Sequence, residues 1–158
     1  MNHLWAPWRM AYIKGEKPIG CILCENPRAK KDRQKLILAR GKHAFIMMNL
    51  YPYNNGHLMV SPYAHVSTLE ELPEKVTAEL MQMMKQALGV LRKSYKPDGI
   101  NVGLNLGKAA GAGIEEHLHF HIVPRWTGDT NFMTSVAEIR VIPEDLMESY
   151  RQLKRHFK

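Results

Sequence analysis

The stretch His117-Leu-His-Phe-His-Ile-Val-Pro-Arg-Trp126 carries the chain's densest potential for chemistry. Three histidines alternate with apolar residues. Two-residue alternation is the period of a β-strand, so His117, His119 and His121 are expected on one face and Leu118, Phe120 and Ile122 on the other. A sheet meets water more cheaply with Lys, Thr or Glu, so a stripe of imidazoles is expected to face a ligand. Neutral imidazole can attack phosphorus, donate to phosphate oxygens or bind a metal. A single strand histidine is ordinarily a spectator; three at period two, followed by Pro124-Arg125, are not.

Directly upstream lies Gly107-Lys-Ala-Ala-Gly-Ala-Gly113. Glycines allow backbone N–H groups to approach an oxyanion closely. The loop lacks the Gly-Lys-Ser/Thr ending of a Walker loop and leads into a strand, so its weight comes from the histidines beside it. Cys21-Ile-Leu-Cys24 is a second constellation. Two cysteines separated by two residues form half of a zinc site or a redox pair, and a disulfide there would close only a tiny loop.

The pattern from His117 to Val123 resembles the signature of the histidine triad superfamily of nucleotide hydrolases and transferases. NLYPYNNGHLMVSPYAH resembles that family's upstream segment, an Asn before a Gly-His strand and then Pro-x-x-His. NLG ahead of the glycine loop, PRWTGDTNFM and the LWAPWR arm resemble bacterial members related to diadenosine tetraphosphate phosphorylases and hydrolases. The resemblance implies an α+β, histidine-triad-like fold, a homodimer and cleavage at the α-phosphate of a dinucleoside polyphosphate. It implies His119 as nucleophile, with His121 bonding the phosphate, His57 helping to hold the site and phosphate, and His117 completing the triad. Asn49 matches a ribose or base contact and Asn105 a position near the phosphates, with Gly111 and Gly113 in the phosphate loop. Ser or Thr often stands three residues before the first histidine; here it is Ile114, which leaves substrate preference open. A phosphoramidase on the same site, a nucleotide-binding module with negligible turnover, and a metalloenzyme ligated by the three histidines remain the alternatives. Some related proteins complete the CxxC half-site with the Pro-x-x-His residue and the first triad histidine. That implies a structural zinc on Cys21, Cys24, His65 and His117, with His43, which also opens a strand, as rival third ligand. Mg²⁺ would accompany the polyphosphate.

These side chains need a scaffold. The 158 residues suffice for one domain with a proper core, and 45% apolar with 23% charged residues is ordinary for a globular protein. No run approaches a membrane span or a secretory h-region, and the two cysteines point to a cytoplasmic setting. The net charge of +7 suits small polyanions such as nucleotides, and no nucleic-acid partner is expected. Residues 1–20 read as an aromatic, basic arm on a single domain spanning 1–158, and residues 25–35 as a charged loop. LILAR and HAFIMMN read as a hairpin around Gly41, and HLMVS as a strand ended by Pro62. From Pro73 to Tyr95, apolar residues recur every three or four positions, a long amphipathic helix. INVGLNL, the histidine segment from Ile114 to Pro124 and EIRVI read as further strands. A closing helix is expected over 143–157, with Leu146, Tyr150, Leu153 and Phe157 on one side. Strands, helix, strands, helix give a mostly antiparallel sheet with a long central helix and a C-terminal helix.

Overall fold

The computed structural model describes residues 20–129 and 144–157. The N-terminal arm, EIRVI and the start of the closing segment lie outside them. The described elements run α1 (Ile22–Arg28), β1 (Ile37–Arg40), β2 (Ala44–Met48), β3 (Leu58–Pro62), α2 (Glu74–Tyr95), β4 (Gly99–Leu104), a 3₁₀ turn (Lys108–Ala110), β5 (Phe120–Arg125) and α3 (Leu146–Lys154). The five strands form one antiparallel sheet in the order β1-β2-β3-β5-β4. This is the α+β architecture the sequence predicts.

Alternation sorts the two faces of the sheet. Leu38, Ala44, Ile46, Met48, Leu58, Val60 and Ile122 point into the main core, where Val76, Leu80, Met83, Met84, Ala87, Val90 and Leu91 of α2 meet them. Tyr150, Leu153 and Phe157 close that core from the C-terminal segment. Asp145 caps α3, its carboxylate accepting from the N–H groups of Met147 and Glu148. On the opposite face, Ile37, Phe45, Met47 and Met59 pack with Leu23 of α1. That face, beyond α1, carries the histidines.

Two local readings are corrected. The segment after Cys21 is a short helix, not the start of a charged loop; its seven residues include Pro27 and bury only Leu23 and Pro27, too little for a helical period to show. The histidine strand is also shorter than its alternation suggests. Pairing between β3 and β5 ends at Val60↔Phe120, so His117 and His119 precede the ladder. Extending the register sets Pro62 opposite Leu118, and proline has no N–H to give. The Ser61 hydroxyl donates to the Leu118 carbonyl instead, at 2.9 Å, while the Leu118 N–H donates to Val66 O at 2.7 Å. The three histidines therefore divide between two environments.

Candidate functional site

His119 and His121 share the open side of the sheet with His57. The ring centroids of His119 and His121 are 4.8 Å apart, and those of His57 and His121 5.1 Å. The register Met59↔His121 places β3 and β5 side chains on this common face. His119 is 6% exposed and His57 is fully buried. His57 thus reaches the site through His121 rather than by facing a ligand itself.

The hydrogen bonds fix which ring nitrogen carries each proton. His119 Nδ1 lies 2.8 Å from the His117 carbonyl. A carbonyl only accepts, so Nδ1 is the protonated nitrogen and Nε2 keeps its lone pair. A different chain sets His121. The Tyr53 N–H donates to His57 Nδ1 at 3.1 Å, so His57 carries its proton on Nε2. That Nε2 lies 3.0 Å from His121 Nδ1 and donates to it. His121 is left with Nε2–H as donor. One site therefore presents an acceptor, His119, beside a donor, His121.

Burial keeps these rings neutral. It lowers the His57 pKa to about 3, with His121 and His119 adding repulsion. Burial, then His119, lowers His121 to about 4. His119 is also lowered by burial, against the opposing bond to the His117 carbonyl. At pH 7 none of the three is an imidazolium, as nucleophilic attack and this donor pattern both require.

Asn49 is half-buried at the end of β2, its Oδ1 accepting from the Tyr51 N–H at 2.9 Å. Continuing the β4–β5 register one step past Leu104↔Phe120 sets Asn105 opposite His119. The glycine loop is exposed; Gly107 and Gly111 hold φ of +78° and +86°, which L side chains rarely adopt. Gly113 lies in the exposed bend that leads to His117. Ile114 packs against the Leu23, Phe45 and Met59 cluster. Arg125, at the end of the histidine strand, is engaged by Asp129 at 2.8 Å and Asn101 at 3.0 Å.

His117 lies apart from these rings, beside Cys21 and Cys24 at the start of α1. It is fully buried, with Nδ1 3.3 Å from Cys21 Sγ, 3.4 Å from Cys24 Sγ and 3.3 Å from His65 Nδ1. Cys24 Sγ lies 3.4 Å from His65 Nδ1. Metal–sulfur bonds of about 2.3 Å and metal–nitrogen bonds of about 2.0–2.1 Å in a tetrahedron give N···N edges of about 3.3 Å and S···N edges of about 3.6 Å. The four side chains fit those edges, and this cluster can hold a metal ion. His117 Nε2–H donates to the Pro62 carbonyl at 2.9 Å, which leaves the Nδ1 lone pair for the cluster. His43, the rival ligand, stands outside it; its N–H donates to Glu79 at 2.8 Å.

Sequence reasoning missed the Tyr53 amide, Ser61 and the Asn54–Asp129 contact described below. The Pro after Ser61 signalled the second; the others depend on loop geometry and had no signal.

The profile of the HIT domain matches residues 30–128. The chain is 44% identical over 163 aligned positions to the AP-4-A phosphorylase of Mycobacterium tuberculosis, spanning 97% of this chain and 83% of that protein. It is 30% identical to an adenosine 5'-monophosphoramidase of Saccharomyces cerevisiae, over 66% of this chain and 62% of that one. Among solved structures, a zinc-bound histidine triad family protein of Mycobacterium smegmatis superposes with a TM-score of 0.70 at 26% identity, covering 87% of this chain and 93% of its own.

Proposed function

From the premise that this chain belongs to the HIT domain family, we propose that it is a nucleotide hydrolase or nucleotidyltransferase acting at the α-phosphate of dinucleoside polyphosphates such as diadenosine tetraphosphate. One observation supports this most: His119 is held as the Nδ1–H tautomer by the His117 carbonyl, leaving a neutral Nε2 lone pair. Nε2 attacks the α-phosphorus and the bond to the polyphosphate breaks. The products are a nucleotidyl-histidine and a nucleoside polyphosphate, already a weak base that needs little protonation. Water or phosphate then displaces the nucleotide and regenerates His119.

His121 donates Nε2–H to a non-bridging phosphate oxygen, and N–H groups of the glycine loop around Gly111 and Gly113 add donors where negative charge builds. Asn105 lies beside the nucleophile, and Asn49 binds ribose or base. His57 holds the tautomer of His121. Lys108 is the basic residue within the loop; any Mg²⁺ arrives with the polyphosphate.

We further propose zinc on Cys21, Cys24, His65 and His117. Two thiolates and two imidazoles close a tetrahedron, so the metal is structural. His117 then belongs to the metal site through its ring and to the catalytic site through its carbonyl. The need for reduced cysteines supports a cytoplasmic setting. The outer edge of β4, where Asn101, Val102 and Gly103 are exposed, supports a homodimer.

The yeast relative favours one second reading, hydrolysis of nucleoside phosphoramidates by the same nucleophile. Product analysis with diadenosine tetraphosphate, with and without inorganic phosphate, tests the proposal. Phosphorolysis gives ADP plus ATP, and hydrolysis after α-attack gives AMP plus ATP. Two ADP would place cleavage at the central bridge and contradict α-attack. No turnover, with a phosphoramidate cleaved, would move the assignment to the second reading.

A further inference from the structure

The segment PRWTGD ends in a carboxylate that the catalytic scheme does not use. Asp129 Oδ2 accepts from Arg125 Nε at 2.8 Å, from the Trp126 N–H at 3.0 Å and from Asn54 Nδ2 at 2.7 Å. Asn54 Nδ2 also donates to the carbonyl of Pro124 at 3.0 Å. Asn54 lies in the loop between β2 and β3, immediately after Tyr53. Its own carbonyl accepts from the His57 N–H at 3.1 Å. Gly56 completes this turn at φ +72°, and a Cβ there would stand 3.0 Å from the Tyr95 ring.

Both anchors of the Asn54 amide, Pro124 and Asp129, follow His121 closely in sequence: one on β5 itself, one just past its end. The clamp therefore ties the loop that sets the His57 tautomer to the strand that carries His121. We propose that Asn54 and Asp129 are positioning residues. They hold the Tyr53 N–H on His57 Nδ1, and so keep His121 a hydrogen-bond donor to the substrate phosphate. Without the clamp the loop is free to lift its amide from His57. His57 can then carry its proton on Nδ1, its Nε2 can no longer donate, and His121 is free to turn its proton inward.

The kinetic consequence rests on the proposed function; the tautomers do not, because they can be read without substrate. Two-bond ¹H–¹⁵N spectra of histidine-labelled protein distinguish the tautomers directly. Wild type should show His57 and His121 as single Nε2–H forms and His119 as Nδ1–H. In Asn54→Ala and in Asp129→Ala, His57 and His121 should become mixtures. His119, held by its own strand, should not change and is the internal control. With diadenosine tetraphosphate, kcat should fall about 10-fold or more, as for other outer-shell partners, while KM moves less than about threefold. The double variant should lose no more than the worse single, because both act through one clamp. If Asp129→Ala does not fold, Asp129→Asn, which keeps size and a carbonyl acceptor, and Asn54→Ala carry the test.

Unchanged Nε2–H signals in folded variants would overturn the proposal, as would a wild-type His57 protonated on Nδ1 or a parallel change in His119. A wild type with the expected tautomers but no turnover of any nucleotide would count against the proposed function and leave the clamp standing.

Discussion

Replacing His121 by Gln should flatten the dependence of stability on acidity. The Gln carbonyl still accepts from His57 Nε2–H, but it cannot titrate. In the folded protein the His121 pKa is lowered to about 4 by burial and then by His119, against 6.5 for an unhindered histidine. The unfolded chain therefore binds the proton that the folded one refuses, and stability falls as pH drops from 6.5 towards 4. The slope is at most about 1.4 kcal/mol per pH unit for one proton, which sets an upper limit of about 3.5 kcal/mol across the window. The ring is only partly buried, and solvent screening reduces this to about 1–2 kcal/mol. Carboxylates such as Asp32 and Asp129, whose pKa values are lowered below 3.8, stay ionised in this range. Urea unfolding of wild type and His121→Gln at pH 8, 6.5, 5.5 and 4.5 isolates the effect, because protons taken up by Cys21, Cys24, His65 and His117 enter both proteins alike. The wild-type stability should fall more steeply below pH 6.5, and the two curves should run parallel above pH 7. Parallel curves down to pH 4.5 would refute the claim that His121 is held neutral.

Three further outcomes follow. Protein purified without chelator or polyhistidine tag should carry about one zinc per chain; Cys24→Ala should lose it and melt at a lower temperature, and absence of zinc in wild type would remove the metal claim alone. His121→Ala should cost about 2–4 kcal/mol in kcat/KM for diadenosine tetraphosphate, the worth of one lost donor to phosphate, and an unchanged rate would exclude that role. Ser61→Ala should destabilise by about 1–3 kcal/mol in urea unfolding, since it strands the buried Leu118 carbonyl; a change of a few tenths would show that another donor meets that carbonyl.

Much of the scaffold is legible in the sequence because period and burial coincide there. Val76 to Tyr95 repeats at helical spacing, and its apolar residues are those that meet the sheet. The run Ala44 to Met48 reads as a strand but is apolar throughout, because both faces of β2 are buried, so which residue faces which side comes from the structure. The triad segment shows the limit of that reasoning. Its period is a strand's, yet Pro62 ends the ladder before His119, so ring directions had to come from side-chain and carbonyl bonds. The grouping of His117 with Cys21, Cys24 and His65 was reachable only through the family resemblance, because nothing in the spacing brings residue 21 to residue 117. The Asn54–Asp129 contact spans 75 residues between two loops of ordinary turn chemistry, and no local signal marks it. Tyr53 acts through its backbone, so its residue type carries no sign of the role.

The central claim is that His119 Nε2 becomes covalently bonded to the nucleotide. It is tested most directly by intact-protein mass after acid-free quenching of a reaction with a slowly turned-over dinucleoside polyphosphate analogue. Wild type should gain the mass of one nucleotidyl group, located on His119 by fragmentation. His119→Asn should gain none and should lose at least about four orders of magnitude in turnover, while still binding nucleotide through Asn49 and the glycine loop. An adduct on His121, or full activity in His119→Ala, would contradict the account.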